Sequence, residues 1–269
     1  MKTDPGFLMH LEKNRNKMKL GIAYNVFDGE EFLAGSIAQI RKVSDYIVAV
    51  VQTTSNYGNE YTGGYEECLR LADMGLIDEV VVVNPKSGAA WQKEREKRSL
   101  GLEYCLRNGC SHFVSMDCDE YYDCELFEAA YNRFKNSNFD ASACRLRTYY
   151  KLPTLRLYPN EDYWVPLFHK VDANSRFIDK YPVYCDPTRR INCTNFLSFQ
   201  RDEIEMHHFS FVRTNIRRKL DNSSAKRNFE KDIDAHVEQW FKAKAGDTIN
   251  YFGEGKRLVE VENIFNITI

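Results

Sequence analysis

The run Tyr46 to Val51, "YIVAVV", limits this chain more than any other stretch: six consecutive apolar residues, most of them β-branched, with no polar face. A strand of that kind is stable only where both faces are covered, as in a parallel sheet with helices on either side. The neighbouring residues agree. "KLGIAYNVF" (Lys19 to Phe27) reads as a strand, and in the following "DGEEFLAGSIAQIRKVS" Phe32, Leu33, Ile37 and Ile40 recur at helical spacing after an Asp-Gly start. "GGYEECLRLADMGL" predicts a second helix and "IDEVVVVNP" a third strand. A long helix over "AAWQKEREKRSLGLEYCLRNGC" stops at Asn108-Gly109, a pair suited to a left-handed C-cap, and "SHFVSMDCD" is the fourth strand.

Such strand-helix alternation requires crossovers, so a Rossmann-type, mostly parallel central sheet with helices on both faces is expected over residues 19–122. After about Asn138 the texture changes. Short aromatic, β-rich pieces ("FDASACRLRTYYKL", "DYWVPLFHKV", "IEMHHFSFVR") are broken by Pro153, Pro159, Pro166, Pro182 and Pro187. A helical stretch from Arg217 to Gly246, interrupted at Asn222 to Ser224, and a β-like "RLVEVENIF" complete the chain. The expected organisation is an N-terminal extension over 1–18, one α/β domain over 19–215 whose second half, 123–215, is β-rich, and a C-terminal helical extension over 216–269.

Apolar residues make up 43% of the chain and aromatics 13%, enough for a sizeable core. A net charge of -2 gives no chain-wide basic excess, so nucleic-acid binding is not indicated. No apolar run approaches the roughly 18 residues that cross a bilayer, and the first residues are too charged for a secretion signal, so a cytoplasmic protein is expected. The eight cysteines are scattered without a CxxC pair and read as reduced, mostly buried thiols rather than a zinc site.

Chemistry concentrates in "FVSMDCDEYYDCELF", where Asp117, Asp119, Glu120 and Asp123 crowd the end of the fourth strand. Ligands of doubly wound sheets sit beyond the carboxyl ends of the strands. Two aspartates flanking one residue there can present carboxylates to one hard cation, Mn²⁺ or Mg²⁺, that bridges phosphates. The helix before that strand carries Lys93, Arg95, Lys97 and Arg98; Lys97 and Arg98 lead into the small-residue step "SLG" and are the candidates for the diphosphate.

The order "IAYNVFDGEEFL", "VAVVQTTS", "EKRSLGLEYC", "FVSMDCDE" resembles the nucleotide-sugar half of family-2-type glycosyltransferases with the GT-A fold, and "MHHFSFVR" extends the likeness. The resemblance implies transfer of a sugar from a nucleotide-diphosphate sugar, UDP-linked first, with inversion. It places Ala23, Tyr24 and Asn25 on the nucleoside, Asp117, Cys118 and Asp119 at the metal and diphosphate, and His208 as a further metal ligand. Where the family commonly has an acidic pair after the second strand, this chain has Gln52, Thr53, Thr54 and Ser55, whose amide and hydroxyls can still read a base edge. Ser99 stands where the family's helix segment has asparagine.

His207 and His208 point to opposite faces if their segment is a strand. His207 shares its face with Phe209 and Phe211 and reads as structural, which leaves His208 for the metal. Arg213, Arg217 and Lys219 follow and are placed to close over phosphates. An inverting transfer needs a carboxylate apart from the metal to take the acceptor's proton. Glu161 and Asp162 are the first candidates, with Asp123 and Glu120 behind them. Tyr149, Tyr150, Tyr158 and Trp164 are candidates for stacking on sugars. Two other readings remain: a nucleotidyltransferase, which would usually show a Gly-rich phosphate loop that "YNVFDGEEF" lacks, and a silent carbohydrate-binding scaffold. The acceptor is left open.

Overall fold

Strand β1 (Leu20–Val26) sends Leu20, Ile22, Tyr24 and Val26 to one face of the sheet and Ala23 to the other, the period-two alternation of an extended chain. β2 (Tyr46–Val51) divides Ile47, Ala49 and Val51 from Tyr46, Val48 and Val50 in the same way. Both faces are therefore apolar, and both are covered. Helices α1 (Glu30–Ile40), α2 (Gly63–Asp73) and α4 (Cys124–Lys135) pack on the first, and α3 (Ala90–Arg107) on the second. Contact between α3 and β1 depends on Gly101, where an added Cβ would stand 2.5 Å from the Ala23 Cβ. That is the close approach the small-residue step predicts.

This computed structural model describes residues 18–224, 226 and 232–269. Nearly all of the expected N-terminal extension, and part of the stretch read as the long C-terminal helix, lie outside the described residues.

With β3 (Glu79–Val82) and β4 (His112–Asp117), the first-half strands run parallel in the order β3-β2-β1-β4. Beyond Asp117 the pairing changes. β6 (Ala141–Tyr150) lies antiparallel to β7 (Leu152–Tyr158) and β8 (Trp164–Lys170), and β8 joins the sheet antiparallel to β4. β9 (Phe196–Ser198) and β10 (Glu205–Phe211) run parallel to β6, and β10 also pairs antiparallel with the two-residue β5 (Glu120–Tyr121). The architecture is GT-A-like: a Rossmann-type parallel half continued by a mixed, β-rich half. Parallel order belongs to the first part only.

The C-terminal stretch is less helical than its sequence suggests. α5 (Ile216–Asn222) ends at the expected interruption and α6 (Ile233–Lys242) follows it. The hairpin of β11 (Thr248–Tyr251) and β12 (Glu254–Glu260) then extends the sheet beside β7. Leu220, Trp240, Ile249 and Leu258 bury together against Tyr150 and Leu157, which ties this stretch to the domain. All eight cysteines are free, six of them buried. Among the described residues no helix is long and apolar enough to cross a membrane.

Candidate active site

β4 ends with Asp117 in register with Asn25 of β1, at the carboxyl end of the parallel strands. Cys118 turns into the core, so Asp117 and Asp119 emerge on one side of the turn. Glu120 then pairs with His208, and the Asp119 carbonyl accepts a hydrogen bond from Phe209 N at 2.8 Å, which fastens the acidic turn to β10.

Each aspartate is held by its own set of cations. Arg98 Nη2 donates to both Asp117 oxygens (3.0 and 3.1 Å) and to Glu94 Oε1 (2.7 Å), while Arg189 Nη2 donates to Asp117 Oδ2 (2.7 Å). Arg189 also bonds Glu120 through both of its terminal nitrogens. Asp119 Oδ2 accepts from Arg213 and, at 3.2 Å, from Lys219. Burial alone would raise both aspartates, yet Arg98 and Arg189 hold Asp117, and Lys219 and Arg213 hold Asp119, below the usual carboxylate range. Burial pushes Glu120 up to about 7 in spite of Arg189. Burial also lowers Lys97 to about 8 and His208 to about 4, so the imidazole is neutral near pH 7 and free to act as a ligand. Around the turn the acids Glu94, Asp117, Asp119, Glu120 and Asp186 stand close to the cations Lys97, Arg98, Arg189, Arg213 and Lys219, and Asp28 also acts on Arg213 and Lys219.

The donors present fit a hard divalent cation in part. Asp119 Oδ1 lies 3.7 Å from His208 Nε2, beyond hydrogen-bond length, and both side chains line the same cavity. Among the described residues no group of three or more acid, histidine or cysteine side chains forms a ready metal cluster. Two protein donors suffice for a cation that takes its remaining ligands from phosphate oxygens and water. Asp117 is a weaker fit than its sequence position suggests, because both of its oxygens already carry guanidinium bonds.

Two cavities meet at the acidic turn. One, about 100 Å³, is lined by Asn25, Asp28, Gln52, Asn56 and Lys97. The other, about 470 Å³, is lined by second-half residues that include Glu161, Trp164, Asp186 and Tyr251. Glu94, Asp117, Asp119 and Lys219 line both. Asn25, Gln52, Lys97 and Cys118 of the expected nucleoside and diphosphate group border the smaller cavity, although the Cys118 side chain belongs to the core.

Several expected site residues go elsewhere. Ala23 and Tyr24 are core residues, Ala23 under α3 and Tyr24 hydrogen-bonded to Ser36 (2.9 Å). Thr53 donates its backbone N–H to Asn84 Oδ1 and accepts at its hydroxyl from Asn84 Nδ2, and it lines neither cavity at the acidic turn. Arg98 is fully buried, its donors spent on Glu94, Ser115, Asp117 and Thr188, so it braces Asp117 from behind. Arg213 likewise stands behind Asp119, stacked over the Phe32 ring at 4.9 Å. Arg217 pairs with Asp234 on the surface. Asp123 caps α4 by accepting from Glu125 N (3.0 Å) and Leu126 N (2.9 Å). The Asp162 side chain is 91% exposed and pairs with Arg145. Tyr149 and Tyr150 are buried in the core and Tyr158 lies outside the cleft, which leaves Trp164 of the four aromatics. His207 is structural: Tyr149 Oη lies 2.8 Å from its Nδ1.

Glu161 alone of the paired loop acids enters the larger cavity, where Thr148 and Tyr251 donate to it. Burial raises its pKa, and the two hydroxyls oppose that rise. Arg189, Asp186 and Glu94 are central here without having stood out in the sequence. Glu94 and Arg98 carry one local signal, an acid four residues before a base on a helix face. Asp186 accepts from Thr188 N (2.8 Å) at the start of the turn Pro187–Arg189, an Asx pattern that "DPTR" encodes but whose destination only the fold reveals.

No family model matches the chain, and no curated protein matches it. Solved structures do. S. aureus TarS 1-349 in complex with UDP-GlcNAc is 12% identical over 82% of this chain and 70% of that one, with a TM-score of 0.45. The same TarS 1-349 with UDP is 14% identical over 49% of this chain at a TM-score of 0.36, and this chain spans 36% of its length. Glucosyl-3-phosphoglycerate synthase from Mycobacterium tuberculosis, with Mn2+, UDP and phosphoglyceric acid, is 12% identical over 52% of this chain and 47% of that one, at 0.34. These are likenesses of fold.

Proposed function

We propose that this chain is a metal-dependent glycosyltransferase that moves a sugar from a nucleotide-diphosphate sugar, UDP-linked first, to an acceptor hydroxyl. The observation that carries the reading is Asp119, which lines both cavities, with His208 Nε2 3.7 Å from its Oδ1 in the larger one, each able to face a cation there. The smaller cavity suits the nucleoside, with Gln52 and Asn56 amides for the base edge and Lys97 toward the phosphates. The larger one holds the sugar and its acceptor.

Asp119 and His208 would hold Mn²⁺ or Mg²⁺, which when bound neutralises charge on the departing diphosphate. The cations around the turn are already matched by carboxylates, Asp28 among them, so incoming phosphates need that extra positive charge. Lys219, which reaches Asp119 and both cavities, steadies the leaving group from the other side. Glu161 takes the proton from the acceptor oxygen, held in aim by Thr148 and Tyr251. Asp186 is the second candidate, since it lines the same cavity and its pKa is also raised by burial. Inversion at the anomeric carbon follows from the resemblance. A nucleotidyltransferase is disfavoured by the lack of a glycine-rich loop after β1.

A hydrolysis panel of UDP- and GDP-sugars with Mn²⁺ tests the reading. The parent should cleave at least one donor, and Asp119→Ala should lower that rate roughly a hundredfold or more while remaining folded. Equal rates in parent and variant would remove the metal assignment.

A further inference from the structure

The β-rich half gathers arginines on the side of the sheet turned away from the cleft. Leu146, Met206 and His208 line the larger cavity. The residues that alternate with them, Arg145 and Arg147 in β6 and Glu205 and His207 in β10, therefore face the other way. Arg156 of β7 pairs with Tyr149 and with Val259 of β12, which sets it on that same side, as it does Arg257, two residues from Val259. Arg201 joins them from the turn before β10.

Glu205 is shared by two of these cations. Arg147 donates to both of its oxygens (3.0 and 3.1 Å), and Arg201 donates to one of them (3.2 Å) and to the carbonyls of Leu146 (3.0 Å) and Glu161 (3.1 Å). Arg145 pairs with the exposed Asp162 and lies 3.7 Å over the Trp164 ring. Arg156 is left over. Among the described residues none of its side-chain nitrogens has a hydrogen-bond or ion-pair partner, although its Nε is buried, and Arg147 Nη1 is unbonded as well. Burial and the like charges of Arg147 and Arg201 hold the Arg156 guanidinium below the usual arginine range in spite of Glu205.

A half-buried guanidinium among like charges is costly without an anion beside it. Phosphate is the anion that fits, because guanidinium forks take its oxygens two at a time. A carboxylate has two oxygens to offer. A phosphate monoester has three, enough for the Arg156 fork and Arg147 Nη1 together. Arg145 and Arg201 also border an open depression beside Trp164 and Ser198, which leaves room for the rest of a molecule that carries the phosphate.

We propose that Arg156 and Arg147, with Arg201 beside them, bind a phosphate monoester on the face of the sheet opposite the cleft. This site is separate from the two cavities at the acidic turn and does not depend on the transferase reading. A soluble phosphate ester and a lipid headgroup present the same chemistry to it.

The test titrates inorganic phosphate into the full chain without Mn²⁺, at constant ionic strength, with Arg156→Gln and Arg156→Lys in parallel. The parent should bind saturably, and its Tm should rise as phosphate replaces chloride. Arg156→Gln should bind roughly tenfold more weakly or worse, and Arg156→Lys, which keeps the charge without the fork, should fall between. In phosphate-free buffer Arg156→Gln should be at least as stable as the parent, since it removes a repelled charge. UDP affinity with Mn²⁺ should be the same in all three. A purely structural Arg156 would give the opposite pair, a lower Tm in phosphate-free buffer with the phosphate response intact. That result, or a parent that binds no phosphate saturably, overturns the proposal. Sedimentation with vesicles of phosphatidylcholine and phosphatidic acid separates the sources: recruitment lost in Arg156→Gln assigns the phosphate to a lipid headgroup, and otherwise a soluble ester supplies it.

Discussion

The proposed donor side of the cleft takes Asn25, Gln52 and Asp117 from the ends of neighbouring parallel strands and Lys97 from the helix that crosses them, all before the chain reaches Cys118. The proposed acceptor side takes Leu146, Glu161, Asp186, His208 and Tyr251 from elements scattered along the rest of the chain and joined by mixed pairing. On the first side, strand order and helix packing put the residues in place, so a fault there is a fault of folding. On the second, single side chains are aimed by long-range contacts, so a fault there costs activity before it costs stability.

The largest effect that would sharpen this contrast is expected at Glu161. Glu161→Gln should lower transfer by roughly 10²–10⁴-fold and at the same time raise Tm at pH 7. The sign follows from linkage: burial lifts the folded pKa above the ordinary 4.5, so the acid's contribution to stability is lost as pH rises through that window, and a neutral amide restores it. If Asp186→Asn shows the larger loss of transfer and Glu161→Gln little, the base is Asp186.

Arg189→Leu should destabilise the fold by about 3–5 kcal/mol in urea titration, since Asp117 and Glu120 would be left buried without their shared cation. Arg189 is the bolt between the two sides, and a loss below about 1 kcal/mol would break the contrast there. Gly101→Val belongs wholly to the donor side. It should cost about 1–3 kcal/mol through overpacking of α3 on Ala23. Donor and acceptor functions should then decline together with folded fraction.

The subtlest change is in pH response. The acidic limb of transfer should lie above the ordinary glutamate range, and Thr148→Val should move it to higher pH, because the lost hydroxyl had been favouring the charged carboxylate. No movement would detach Glu161 from the reaction.

The same division explains what the residues disclose on their own. "YIVAVV" and its neighbours announce a doubly covered parallel sheet because period-two and helical spacing are local properties, and the acidic turn at a strand end is legible for the same reason. His207 and His208 separate by strand alternation alone. Asp123 and Asp162 misled because an acid before a helix or in a loop reads alike whether it caps, pairs or catalyses. Arg98 and Arg213 read as free cations, yet burial turned them into braces for Asp117 and Asp119. Arg189 and Asp186 carry little local signal, since their meaning comes from which distant strand they meet. The β11–β12 hairpin stayed hidden because Phe-Gly is a poor turn signal.

On the proposed reading Asp119, with His208, holds a cation that in turn holds a diphosphate. Isothermal titration of UDP into the full chain, with and without Mn²⁺, tests it most directly when repeated on Asp119→Ala. Tighter binding by roughly tenfold or more with Mn²⁺, lost in the variant, is the predicted result; equal affinity in the presence and absence of Mn²⁺ would contradict it.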